Sequence, residues 1–373
     1  MSRKKEFVPI VKPTLPDLVK IMPRVKDIWG SGMITNYKYT RELEKKAAKY
    51  FETKNVVALS NCTSGLMLAC KCLELKGEVI VPSFTFDATA CSLVWNNLTP
   101  VFAEIDNETF NIDVDKIEEK ITDKTSAILA VHMFGNPCNI DELQEIAGRH
   151  NLKLIFDSAH AFGAKYKGKT IGKFGDAEVF SMTPTKVLTA GEGGLVTTNN
   201  SEFADLVRHG MDCGNYKGGD DGGYVAKFVG LSSRLTEFNA ILALEGLKNL
   251  EKHIEHREKL ARIYEKRLGG FWDISFQKSN GRMSRYAFPV IVGKEAKVNR
   301  DIIAKELERQ NVQTKRMYFY PALHEQPAYK QYAKGGLPAT DYVSRHIICL
   351  PIYSHLEKEK VEGICDIIEN LLS

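Results

Sequence analysis

The sequence predicts an α/β protein: a large, mostly parallel sheet of seven strands covered by helices on both faces, followed by a smaller α+β unit. Three observations carry this. Short runs rich in β-branched and apolar residues recur between residues 55 and 200, alternating with segments of helical periodicity. Those runs are almost continuously apolar, as parallel strands covered on both faces must be. After Gly230 the pattern changes to one long helical stretch and a few isolated strand-like runs.

The seven strands are expected at Asn55–Ser60, Glu78–Pro82, Thr99–Glu104, Ser126–Phe134, Lys153–Asp157, Ala177–Ser181 and Gly194–Thr198. Helices are expected between them at Ser64–Leu75, Asp87–Trp95, Asp113–Ile121 and Asp141–His150, the last capped by Asn139 or Asp141. Leu235 to Leu268 reads as one long helix, apolar first and strongly charged from Glu251 onward. Beyond it come a strand at Tyr286–Val292, a helix at Asn299–Gln310, an apolar run at Ile347–Pro351 and a terminal helix at Lys358–Leu372. This divides the chain into a large domain, 1–245, and a small one, 246–373, with segment 1–30 expected against the small domain. Lys217-Gly-Gly-Asp-Asp-Gly-Gly223 is expected to be a mobile loop, a candidate lid.

The chain's 373 residues are ample for two domains, and 43% hydrophobic with 26% charged residues is an ordinary globular composition, which excludes disordered and collagenous classes. The formal charge of +4 is spread along the chain, so nucleic acid is not the expected partner. Eight cysteines lack the paired spacing of structural zinc and read as small buried residues of a reducing compartment. No apolar run is long enough for a membrane span, and the N-terminus lacks a signal peptide's apolar region, so a cytoplasmic protein is expected. His253 and His256 share a helical face, but Lys252, Glu255 and Arg257 around them point to a solvated surface, and no metal is expected.

Four segments carry the chemistry. In Phe180-Ser-Met-Thr-Pro-Thr-Lys-Val-Leu-Thr-Ala-Gly-Glu-Gly-Gly194, a lysine held in a turn, with Ser181 before it and a glycine run after it, suits a Schiff-base lysine, Lys186. Asp157 ends an apolar strand, where a buried carboxylate can pair with a protonated ring nitrogen. Ser60-Asn-Cys-Thr-Ser-Gly65 joins a strand to a helix through small polar residues, so Thr63 and Ser64, joined by Ser181, could hold a phosphate at a helix N-terminus. Val81-Pro-Ser-Phe-Thr-Phe-Asp87 supplies aromatics able to stack on a flat heterocycle.

Together these segments resemble the DegT/DnrJ/EryC1/StrS sugar aminotransferases, which are fold-type-I pyridoxal 5′-phosphate enzymes. The likeness runs from Met33-Ile-Thr-Asn36 through Gly135-Asn-Pro137 and Asp157-Ser-Ala-His-Ala-Phe-Gly163 to Leu323-His-Glu-Gln-Pro-Ala-Tyr329 and Cys349-Leu-Pro351. It implies that Lys186 bonds the cofactor, Asp157 pairs with the pyridine nitrogen, His160 lies beside the ring hydroxyl, and Phe86 stacks on the ring. It also implies that Thr63, Ser64 and Ser181 bind the phosphate. A dehydratase subgroup has histidine at position 186, so lysine here favours transamination. Two positions depart from the pattern. Ser232 stands at the usual asparagine of a segment that reaches a neighbouring subunit's phosphate, and Tyr37 replaces a glycine after Asn36.

The resemblance further implies a homodimer with the site at its interface, glutamate as amino donor, and a nucleotide-linked keto-sugar as acceptor. Candidates for holding the nucleotide are Lys315 and Arg316, before Tyr318, and Lys217 in the glycine-rich loop; His324 is a candidate for the sugar pocket. C3 and C4 of the hexose are both open as the aminated carbon. The alternatives are a transaminase of a non-nucleotide cyclic ketone such as an inosose, a sugar-nucleotide dehydratase, and a regulatory protein on the same fold. Intact Lys186, Asp157 and Ser181 weigh against the last.

Overall fold

A computed structural model of the chain describes residues 6–217, 223–315 and 319–373. Seven strands build the large sheet: β1 (Asn55–Leu59), β2 (Glu78–Pro82), β3 (Thr99–Ala103), β4 (Thr125–Val131), β5 (Lys153–Asp157), β6 (Ala177–Ser181) and β7 (Gly194–Thr198). Their spatial order is β1-β7-β6-β5-β4-β2-β3. All are parallel except β7, which pairs antiparallel with both β1 and β6. The period of two divides each strand between two cores. Val56 and Ala58 face one, and Val57 and Leu59 face the other.

Helices α1 (Leu18–Ser31), α2 (Lys38–Phe51) and α5 (Ile140–Arg149) cover the first face with α7 (Glu237–Lys248). Helices α3 (Cys62–Cys72), α4 (Asp87–Val94) and α6 (Ser201–Gly210) cover the second. The expected single helix over 235–268 is two helices, because Asn249 (φ −110°, ψ 5°) interrupts it between α7 and α8 (Leu250–Leu268). The break lets the chain change cores: α8 gives Leu250 and Ile254 to the large core and Leu260, Tyr264 and Leu268 to the small one. The expected helix at Asp113–Ile121 is instead two 3₁₀ turns, 114–116 and 118–120. In it only Ile117 is fully buried, too little to hold a packed helical face.

The small core is built on a three-stranded antiparallel sheet, β8 (Ile274–Phe276), β9 (Phe288–Val292) and β10 (Ile347–Leu350), with α8, α9 (Arg300–Arg309) and α11 (Lys358–Leu372) packed against it. Helix α10 (Pro338–His346) delivers Val343 to a fourth cluster, where Phe84, Phe110 and Phe134 of the large unit meet Ile291, Ile347 and Cys349 of the small one. The N-terminal segment divides: Val8 joins the small core, but Ile21 and Ile28 of α1 belong to the large core, so segment 1–30 does not pack as one piece on the small unit. Residues 218–222 of the glycine-rich loop, expected as a candidate lid, lie outside the described residues.

All eight cysteines are free; six are buried, Cys91 is half-buried and Cys213 is exposed. The His256 ring bonds the Leu356 carbonyl at 2.8 Å, and the described residues hold no cluster suited to a metal. No helix is long and apolar enough to cross a membrane among the described residues.

Candidate active site

Because β1, β2, β4, β5 and β6 run parallel, their carboxyl ends open on the same edge of the sheet, where α/β folds place their ligands. A cavity of about 1370 Å³ lies there. It gathers Asn61–Ser64 after β1, Phe86 after β2, Asp157 at the end of β5, Ser181 at the end of β6 and Lys186 after it. Tyr286 and Ile352 wall it from the small unit, and Ile10 and Val11 from the N-terminal segment.

Asp157 is buried on the cavity floor. Its Oδ2 accepts from the Thr89 hydroxyl at 2.8 Å, and its Oδ1 from the Ala159 N–H at 3.1 Å. Burial pushes its carboxyl above the ordinary aspartate value, opposed by those two donors and by the charges of Lys186 and His132. Thr89 is itself tied to Thr85 at 2.8 Å, so the donor is oriented before any ligand arrives. Neither threonine stands out in the sequence. What could have found Thr89 is its place one turn into the helix that Phe86 caps, level with the end of the neighbouring strands.

His160 is buried, and among the described residues its Nδ1 has no hydrogen-bond partner. Burial, together with the nearby Lys186, drives its imidazole well below the usual histidine value, so the ring is neutral. It lies flat against Tyr286, with centroids 3.9 Å apart and planes at 8°. Lys186 faces the same tyrosine ring, with Nζ 4.5 Å from its centroid. No motif marks Tyr286: it comes from the small unit, about a hundred residues after Lys186, in the bend just before β9.

The phosphate end differs in detail from expectation. Asn61 caps α3: its side chain accepts from the Ser64 N–H at 2.8 Å, and the Ser64 hydroxyl turns back to Asn61 at 3.0–3.1 Å. In this arrangement Ser64 is engaged within the cap, leaving the N–H groups of Cys62 and Thr63 in the first turn, where the helix dipole favours an anion. The first residue of β7, Gly194, passes so close that a Cβ there would lie 2.6 Å from the Asn61 backbone, so only glycine permits this approach. Ser181 is buried at the rim, 3.3 Å from the Thr183 hydroxyl. Phe86 is 61% exposed, its ring edging the cavity.

Ser232 and Lys315 also line the cavity. His324 does not. Its Nδ1 bonds Ser83 at 2.7 Å and its Nε2 lies 3.4 Å from Asp341, so the ring is spent joining α10 to the end of β2 instead of facing a sugar. Arg316 and Tyr318 lie outside the described residues; Lys217 closes a two-stranded ribbon, 215–217 with 224–226, but its side chain is not described.

A buried carboxylate, a neutral histidine with an open ring nitrogen, a lysine amine and a helix N-terminus fit the four polar features of pyridoxal phosphate: ring nitrogen, ring hydroxyl, aldehyde and phosphate. Comparison with known proteins agrees. The dTDP-4-amino-4,6-dideoxy-D-glucose transaminase of Escherichia coli is 32% identical, over 97% of this chain and 98% of that protein. The GDP-perosamine synthase of Vibrio cholerae is also 32% identical, over 98% and 99%. The structure of DesI, solved in the presence of its TDP-sugar product, superimposes with a TM-score of 0.90 at 30% identity, covering 98% of this chain and 92% of that one. The sequence profile of the DegT/DnrJ/EryC1/StrS aminotransferase family matches residues 18–369, and the chain belongs to that family of pyridoxal-phosphate-dependent aminotransferases.

Proposed function

We propose that the protein transfers an amino group from glutamate to a 3- or 4-keto-deoxyhexose carried on a nucleotide, for the biosynthesis of an unusual amino sugar in the cytoplasm. Lys186, Asp157 and the open Nδ1 of His160 lining one cavity is the observation that carries this reading. Pyridoxal phosphate, when bound, supplies an electron sink for charge developing on the carbon that loses its proton. Asp157, ionised, would keep the ring nitrogen protonated; the Thr89 hydroxyl and Ala159 N–H offset the burial that opposes that charge. His160 would donate or accept at the ring hydroxyl without adding charge. Lys186 Nζ would hold the cofactor at rest and, once released, carry the proton as general base and then acid. The first turn of α3, with Thr63 and Ser181, would hold the phosphate, Ser64 joining them only by turning from the Asn61 cap; Phe86 would cover the ring, and Lys315 would meet the nucleotide's diphosphate.

The two curated relatives described above, equally similar to this chain, act on different nucleotide carriers by their names, so overall similarity does not select dTDP or GDP. A homodimer fits the exposed apolar residues Trp29, Met33 and Ile34 and the open setting of Ser232 at the cavity edge. The test incubates the holoenzyme with glutamate and a panel of 3- and 4-keto nucleotide sugars and identifies the product by mass and NMR. One aminated nucleotide sugar is expected, with Lys186→Ala abolishing turnover by a factor on the order of 10³ or more. Amination of a free cyclitol ketone in place of every nucleotide sugar would move the acceptor to the cyclic-ketone reading.

A further inference from the structure

We propose that Tyr286 is a positioning residue for Lys186, holding the lysine amine against its ring face, and that buried Arg257 acts through Tyr286. The inference rests on reading Lys186 as the lysine that carries the cofactor. Among the described residues, Lys186 Nζ makes neither a hydrogen bond nor an ion pair; what it meets is the Tyr286 ring, 4.5 Å from its centroid. An ammonium at that distance is attracted by the negative face of the ring.

The ring is held from several sides. His160 lies flat against it, and the Tyr286 N–H donates to the Phe134 carbonyl at 3.3 Å. Behind it stands Arg257 of α8, 1% exposed. Its Nη1 donates to the carbonyls of Arg285 at 3.1 Å, Tyr286 at 3.4 Å and Ile352 at 3.3 Å, and its Nε to the Ser354 hydroxyl at 3.1 Å. Among the described residues this guanidinium has no carboxylate partner, and burial lowers its pKa to about 10. A buried cation without a countercharge is costly to keep. What it accomplishes here is to bind α8 to the two segments, 285–286 and 352–354, that wall the cavity from the small unit.

The seat matters because a lysine side chain is a flexible four-carbon stem. Once its bond to the cofactor opens, the amine must stay within reach of the carbon whose proton it moves, and a loosened amine loses that proximity. Substrate binding does not need the seat, so the loss should fall on turnover and spare affinity.

The experiment compares wild type with Tyr286→Phe, Tyr286→Leu, Arg257→Met and the Leu/Met double variant. It reads kcat and KM of the glutamate half-reaction and, on cofactor-free protein, the rate at which an amine-directed reagent labels Lys186, followed by peptide mass spectrometry. Tyr286→Phe keeps the ring face and is expected to stay closer to wild type than Tyr286→Leu in both readouts. Tyr286→Leu is expected to lower kcat on the order of 3- to 30-fold with KM within about twofold, and to speed labelling of Lys186. Arg257→Met should move both readouts the same way, and the double variant should lose little beyond Tyr286→Leu. Wild-type labelling and kcat in Tyr286→Leu would overturn the proposal, as would a Phe variant as impaired as the Leu variant. If Arg257→Met does not fold, the Phe and Leu pair still decides. A wild-type protein that takes up added cofactor with no change in its visible spectrum would instead sink the reading of Lys186 itself.

Discussion

His160 ties the site's chemistry to the stability of the fold. Its imidazole is buried and its folded-state pKa lies well below the ordinary 6.5, whereas in the unfolded chain it titrates normally. Below about pH 6.5 the unfolded state therefore binds a proton that the folded state does not, and stability falls with pH down to the depressed folded value. We expect the cofactor-free protein to lose stability from this one group in that window with a slope that rises toward about 1.4 kcal/mol per pH unit as pH falls, and His160→Gln to show a correspondingly flatter decline. Urea midpoints taken from pH 7 to pH 5.5 check this; parallel curves for the two proteins would show that the ring titrates freely. Lys186, Asp157 and His160, which we propose act on the ligand through their own chemistry, stood out in the sequence because they sit in glycine-rich or strand-ending turns. Thr89 and Tyr286 touch those residues and Arg257 touches Tyr286, and short motifs carry no trace of such contacts. His324 illustrates the opposite error: a histidine in a well-marked segment whose partners, Ser83 and Asp341, belong to the packing of α10.

Among the elements, all seven strands of the large sheet were legible because both faces are buried and the runs are apolar throughout. Helices α1, α2, α6 and α10 were not assigned, and α2 shows why. Its N-cap, Tyr37, provides no side-chain cap. The missing acceptor comes from Glu237, two hundred residues later at the start of α7, whose buried carboxylate accepts from the N–H groups of Tyr37, Tyr39 and Thr40 at 2.6–3.0 Å and from the Thr40 hydroxyl. No local pattern can announce a cap supplied from so far along the chain. Glu237→Ala strips those donors of their acceptor inside the protein, and we expect it to cost about 3 kcal/mol of unfolding free energy, with Tyr37→Ala costing far less. Denaturant titration of both variants distinguishes a cap made by the carboxylate from one made by the local turn.

Taken whole, the molecule builds its small core from both ends of the sequence. Val8 pairs with Val312 in a parallel bridge, its N–H bonds the Asn311 carbonyl and its carbonyl accepts from Gln313, while the Ile10 carbonyl accepts from Ile352. Val8→Asp places a charge in that core, and a loss of about 2–4 kcal/mol is expected. Hydrogen exchange should register it in β9, β10 and α9 while β4 and β5 of the large sheet remain protected; equal loss in both would mean that the two cores melt as one. The same stitching sets an order of events during synthesis. The large sheet has all its strands once residue 198 has left the ribosome, but the segment around Val8 must wait, unpaired, until residues 311–313 and 352 emerge more than a hundred residues later. The wall that Ile10 and Val11 contribute to the cavity is therefore among the last parts to be put in place, and a nascent chain could display Lys186 well before it could enclose a ligand.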